Sequence, residues 1–262
     1  MDLGIAGRKA LCAGASAGMG KASALALSRE GVDLFISARG EDRLLATARE
    51  IGDETGGKVT PIVADHSTSE GRARLLEACP TPDILVITCT PPKTVDDFRD
   101  IDVEAWQESL TTTLVGPIEL MRMCIDGMAG RGFGRIVNIA TVAAKFPTVG
   151  RLLSGPSRAA LVNYSVAVSK AVAKDNLTLN TLLPGMFLTE ALRERLTLDA
   201  QAKGTSYEAE RDRYVSRWRV PAGKFGDPED VGALCAMLCS RYASYLVGQS
   251  LVIDGGLING MF

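Results

Sequence analysis

The sequence predicts an α/β protein in which one doubly wound parallel sheet is covered by helices on both faces. Two observations carry that prediction. The first is Ala13-Gly14-Ala15-Ser16-Ala17-Gly18-Met19-Gly20, a glycine-rich turn between a short apolar run and a helical pattern. The second is the alternation of short apolar runs with amphipathic segments along all 262 residues. Parallel strands joined by crossover helices read this way, because both faces of the sheet are buried.

The elements follow in order. Residues 9–12 read as the first strand, and Ala22, Leu25, Ala26 and Arg29 recur at helical spacing until Gly31. Residues 32–37 form the second strand and 41–53 a charged amphipathic helix. The third strand, 58–64, ends at Asp65-His66 and leads to a helix over 68–78. The fourth, 83–88, is followed by a Pro91-Pro92 loop and one long helical stretch, about 103–129. A fifth strand over 134–140 precedes a small-residue helix at about 152–173. The sixth, 177–183, is closed by Pro184-Gly185. Polar helical segments fill 187–217, and a helix over 228–239, opened by Asp227-Pro228, leads to the last strand at 250–253. There is no internal repeat, low-complexity segment or linker, so residues 1–262 read as a single domain.

Composition narrows the function classes. Hydrophobic residues make up 46% and charged residues 23%, normal for a globular chain, and the net charge is -2 with no basic run. That balance provides no electrostatic case for nucleic acid or an anionic membrane. No stretch has signal-peptide or membrane-spanning character, so the expected location is cytoplasmic. The six cysteines are scattered without a CxxC pair and read as small buried thiols. His66 is the only histidine, which excludes a multi-histidine metal site, and no metal is expected.

The turn carries the first chemistry. A strand, a turn with Gly14, Gly18 and Gly20, and then a helix put backbone N–H groups at the positive end of a helix dipole, where a pyrophosphate binds. Ser16, Ala17 and Met19 complete that cradle. The spacing is GxxxGxG, not GxGxxG. A nucleoside-triphosphate loop is the rival, but it requires glycine at 15 and Ser or Thr at 22, where this chain has Ala15 and Ala22.

In a doubly wound sheet ligands bind beyond the carboxyl ends of the strands. After the second strand stands Ser37-Ala38-Arg39, with no carboxylate to bind a ribose and a guanidinium able to pair with a 2′-phosphate. NADP(H) is therefore expected over NAD(H). Asp65 is placed to meet the adenine amino group, and His66 to pack around the adenine.

These features together resemble the short-chain dehydrogenase/reductase family over the whole chain, with the 3-oxoacyl carrier-protein reductase-like branch nearest. The matching segments are the turn, Asp65, 83–86, Gly134-Arg135-Ile136-Val137-Asn138-Ile139, Pro184-Gly185 with Thr189, and the tail from Gly226-Asp227-Pro228 to Asp254-Gly255-Gly256. The resemblance implies a seven-stranded Rossmann sheet. It puts Pro184, Gly185 and Thr189 beside the nicotinamide and Thr88 at the strand-four tail of the cofactor site. It also implies a substrate lid at about 187–220, a small-molecule substrate, and a homotetramer or homodimer. Tyr207, Tyr214 and Trp218 in the lid read equally as anchors or as substrate contacts.

The family's chemistry rests on an Asn, a Ser, a Tyr and a Lys. Here those positions hold Thr113, Thr141, Ser154 and Arg158. Thr141 keeps a hydroxyl that can donate to a carbonyl oxygen, and Arg158 keeps a positive charge that does not release a proton. Ser154 is the serious departure, because an aliphatic hydroxyl is a far weaker acid than a phenol of pKa about 10. Tyr164 lies about 15 Å further along the same helix and does not repair it. Lys145 is a candidate acid, base or imine former only if the fold buries it, and otherwise a solvated loop lysine.

Three functions follow as expectations. The first is an NADP(H)-dependent oxidoreductase of carbonyl or alcohol substrates, acting through Thr141, Ser154 and Arg158. The second is a non-redox reaction in the same pocket: retro-aldol cleavage, dehydration or isomerisation. The third is a catalytically silent NADP-binding protein.

Overall fold

A computed structural model describes residues 1–258. Seven strands form one sheet: β1 Lys9–Ala13, β2 Asp33–Ala38, β3 Val59–Val63, β4 Ile84–Thr88, β5 Gly134–Ile139, β6 Leu177–Pro184 and β7 Ser250–Ile253. Their order is β3-β2-β1-β4-β5-β6-β7, and every neighbouring pair is parallel. The chain order reverses between β1 and β4, so the carboxyl ends there splay apart and open a crevice.

Helices α1 (Gly18–Arg29), α2 (Glu41–Thr55) and α9 (Pro228–Cys239) lie on one face. Their buried residues, including Leu27, Leu44 and Val231, pack against Leu34, Ile36 and Val86 of the sheet. On the other face α3 (Ser69–Ala78), α5 (Gly116–Gly130) and α6 (Gly155–Val172) bury Leu75, Leu120 and Leu161 against Leu85, Ile136 and Leu179. The alternation of apolar runs and amphipathic segments reports this two-sided burial. All six cysteines are buried and free.

One expected element divides. The helical stretch at 103–129 is α4 (Val103–Leu110), a π-helical turn (Thr111–Val115) and α5. Thr113 Oγ1 lies 2.7 Å from the Ser109 carbonyl and 2.7 Å from Ser157 Oγ. A threonine hydroxyl bonded to the carbonyl four residues back loosens the backbone ladder, and a π turn takes up the slack.

Residues 187–220, the expected lid, contain two regular helices, α7 (Glu190–Lys203) and α8 (Tyr207–Trp218). Leu196, Val215, Val220 and Phe225 form a small core of their own, with Tyr207 and Tyr214 packed against it. Tyr214 meets Phe225 at a ring separation of 5.8 Å, and Trp218 is exposed. No described helix is long and apolar enough to cross a membrane, and no three metal-ligating side chains cluster among the described residues.

Candidate active site

The Ala13–Gly20 turn joins β1 to α1 as the sequence predicts. Gly14 has φ +76°, and a Cβ there would stand 1.9 Å from the Thr88 carbonyl oxygen. A Cβ on Gly20 would stand 2.2 Å from the Gly14 oxygen. The two glycines thus let the turn fold back on itself against β4. The Thr47 hydroxyl of α2 donates to the Ser16 carbonyl at 2.9 Å and pins the turn from the side.

Above the turn lies a cleft of about 700 Å³. Gly14, Ser16, Ala17, Gly18 and Met19 form its floor. At one end it is walled by Arg39, Asp65 and His66, and at the other by Gly185 and Thr189. Thr88 lines it from the strand-four tail, and its buried Oγ1 has no hydrogen-bond partner. Gly185 lets β6 pack on the last strand's end, since a Cβ would sit 2.6 Å from Asp254 Cβ. Thr189 caps α7, its hydroxyl accepting from the Leu192 amide at 3.4 Å. Every cofactor-side residue expected from sequence is therefore on one cleft, apart from Gly20 and Pro184, which support its walls from behind.

At the adenosine end Asp65 Oδ1 accepts from the Ser67 amide at 2.9 Å. Burial alone would raise the Asp65 pKa, but the hydrogen bonds from Ser67 outweigh it and hold the carboxyl below its usual value. His66 is buried, and that burial lowers its pKa. Its Nε2 lies 3.4 Å from Cys89 Sγ. Burial pushes the Cys89 thiol up to about 11, so it stays protonated near neutrality.

The catalytic-side residues are placed differently. Ser154 and Arg158 are each only 4% exposed. Arg158 Nη1 donates to Ser154 Oγ at 2.7 Å, and Nη2 donates to the Cys89 carbonyl at 3.2 Å. Burial lowers the Arg158 pKa, and no carboxylate among the described residues pairs with it. Neither side chain forms part of the cleft wall; Cys89 stands between. Thr113 is fully buried in its contacts with Ser109 and Ser157. Thr141 is half-buried and caps a short 3-10 turn, accepting from the Ala143 amide at 3.3 Å. Lys145 is exposed, its ammonium 5.9 Å from the Phe146 ring centroid, and it does not line the cleft. The desolvation that an activated lysine requires is absent there, so Lys145 is the solvated loop residue of the two readings.

Several cleft residues escaped the sequence reading. Arg43 lines the adenosine end one helical turn after Arg39, a spacing that could have revealed it. Arg151 and Arg195 line the other end together with Tyr214, one of the lid aromatics already singled out in the sequence. Glu190 reaches the turn itself: its Oε2 accepts from the Gly18 amide at 3.1 Å, and its Oε1 lies 3.7 Å from Lys21 Nζ. No local signal marks Arg151, Arg195 or Glu190. Glu190 nevertheless shows the turn's chemistry, since an amide at the start of α1 holds an anion.

Comparison with known proteins agrees with this geometry. The sequence model of the family described as enoyl-(acyl carrier protein) reductase matches residues 14–258. The chain belongs to the short-chain dehydrogenase/reductase family. Among curated relatives, the 3-oxoacyl-[acyl-carrier-protein] reductase of Aquifex aeolicus is 26% identical over 98% of this chain and 100% of its own. An NADPH-dependent reductase of Bacillus subtilis is 29% identical over 95% of this chain and 97% of its own. Among solved structures, L-sorbose reductase from Gluconobacter frateurii, complexed with NADPH and L-sorbose, superposes with a TM-score of 0.94 at 28% identity, covering 100% of both chains. These relatives make this family member an oxidoreductase-type protein over its full described length.

Proposed function

We propose that the protein is an NADP(H)-dependent oxidoreductase of carbonyl or alcohol substrates with an altered catalytic set. The observation that carries the cofactor assignment is the cleft's charge layout. Arg39 and Arg43 line the adenosine end, and its one carboxylate, Asp65, is engaged by Ser67. A 2′-phosphate finds two guanidinium groups there, and the turn amides of α1 receive a diphosphate. NADPH in the sorbose reductase complex and in the reductase from B. subtilis supports the same choice.

Bound nicotinamide supplies or accepts a hydride at its C4. The chain's own contribution starts with Gly185 and Thr189, which orient that end of the cleft. Arg158 Nη1 donates to Ser154 Oγ, and the pair stands behind the cleft wall at Cys89. From behind that wall the guanidinium's positive charge favours negative charge developing on a substrate oxygen in the cleft. Thr141 contributes a second hydroxyl. Serine is too weak an acid to complete the protonation, so the final proton comes from water.

NADPH titration by fluorescence, followed by stopped-flow loss of NADPH absorbance with 3-oxoacyl thioesters and small ketones, tests this. Binding of NADPH at least about tenfold tighter than NADH, with turnover of one class, is expected. Tight NADPH binding with no turnover of any substrate overturns the reductase assignment.

A second reading, a binding protein without turnover, draws support from one observation. Ser154, Arg158 and Thr113 bond to one another's neighbourhood and are sealed from the cleft wall. Product formation without a change in cofactor redox state would instead favour the non-redox reaction. Assembly as a homotetramer or homodimer belongs to the same proposal. The exposed Tyr245, Leu246 and Val252 beside edge strand β7 support it, and light scattering measures it.

A further inference from the structure

The half of the cleft beyond Gly185 carries an excess of positive charge that a nicotinamide cofactor leaves unused. Arg151, at the end of the short turn before α6, and Arg195, on α7, line that half together with Thr112 and Tyr214. Only two carboxylates line the whole cleft, Asp65 and Glu190. Asp65 is engaged by the Ser67 amide at the adenosine end. Glu190 is engaged by the Gly18 amide and lies near Lys21, which also binds Glu50 at 2.8 Å. Neither arginine has a carboxylate within ion-pair distance among the described residues.

A third guanidinium stands directly behind the wall. Arg158 donates to the carbonyl of Cys89, and Cys89 lines the cleft. Burial lowers the Arg158 pKa most; Cys89 opposes that effect and the charge of Arg151 adds to it. Guanidinium groups gathered from a turn, a lid helix and the core repel one another. An anion between them relieves that repulsion, and a planar carboxylate can accept two parallel N–H bonds from one guanidinium.

We infer that the substrate is an oxo acid or hydroxy acid, its carboxylate held by Arg151 and Arg195 at the end of the cleft lined by Gly185. This rests on the oxidoreductase reading and adds the substrate class to it. Arg151 and Arg195 are specificity-determining residues, both exposed at the cleft rim.

The test is binding, measured separately from turnover. Acetoacetate and pyruvate are titrated against their methyl esters by calorimetry, using protein saturated with NADP+, which supplies no hydride to an oxo acid. Each acid is expected to bind about tenfold or more tighter than its ester. In the Arg151→Ala/Arg195→Ala double variant that preference disappears, the ester affinities stay unchanged, and the thermal midpoint stays put because both side chains are exposed. Equal affinity for acid and ester in the native protein overturns the inference, as does an acid preference that survives in the double variant. Inorganic phosphate binding more tightly than either acid also overturns it, assigning the arginines to a phosphate instead. Failure of NADPH itself to bind, seen in the preceding titration, identifies an error in the cofactor reading rather than in this one.

Discussion

Arg158 donates to Ser154 Oγ across 2.7 Å, one helical turn apart on α6, and both side chains lie behind the cleft wall. At these positions the family has a phenol and an ammonium group that reach the reacting atoms. Serine is too short to reach, and arginine folds back on it. In the proposed reaction the pair keeps the charge and lacks the acid.

Replacing Arg158 by Met therefore separates charge from packing. The variant loses hydrogen bonds to Ser154 and Cys89 but no longer buries a charge without a carboxylate partner. These effects oppose each other at about 1–3 kcal/mol each, so the thermal midpoint is expected within a few degrees of native. Activity in the NADPH-coupled assay should fall about 100-fold or more. Retained activity removes Arg158 from the reaction.

His66 is the only histidine, which makes its titration readable in the intact chain. Its folded pKa lies below the ordinary value of 6.5 because burial disfavours the charged ring. Between the two pKa values the unfolded chain binds more protons, so stability rises with pH. The contribution is complete above 6.5 and is lost as pH falls through the folded value. Urea midpoints should drop on acidification below pH 6.5, before carboxylates such as Asp65 titrate. His66→Asn should flatten that part of the profile, and an unchanged slope in the variant refutes the assignment.

Glu190 places a carboxylate on the Gly18 amide, where the diphosphate of a dinucleotide brings more negative charge. Glu190→Gln keeps a hydrogen-bond acceptor and removes the repulsion. NADPH is expected to bind about threefold to tenfold tighter, with the largest gain at low salt. Weaker binding by the variant would mean that the carboxylate organises the turn instead.

Arg39→Asp is expected to weaken NADPH about tenfold or more and to improve NADH, because a carboxylate accepts from ribose hydroxyls and repels a 2′-phosphate. Arg43 remains in the variant and limits the loss. Equal effects on both cofactors would place Arg39 outside the phosphate site.

Gly20→Ala tests the turn itself. Alanine is the better helix former, yet its Cβ would stand 2.2 Å from the Gly14 oxygen. Loss of NADPH binding together with a lower thermal midpoint is expected, and a more stable variant with native affinity contradicts the close approach.

The sheet, its helices and the phosphate turn could be read from local pattern, because hydrophobic period, glycine spacing and strand-end residues are each set within a few positions of the chain. Gly14, Arg39, Asp65 and Thr189 were legible for that reason. The break at Thr111–Val115 was not, since it depends on Thr113 meeting Ser157 of another helix. Burial was equally hidden at Lys145, where four residues past Thr141 left exposure undecided and the folded loop turned the ammonium to solvent. The sequence by itself determined a doubly wound sheet with a glycine-rich turn at the start of the first helix. Only the tertiary structure decided what stands around those residues: Glu190 on the turn from 172 positions away, Arg158 on the carbonyl of Cys89, and Arg151 facing the same cleft as Arg195. Such contacts join segments far apart in the chain, and their charges and short-range bonds come into being only when the sheet brings the strand ends together.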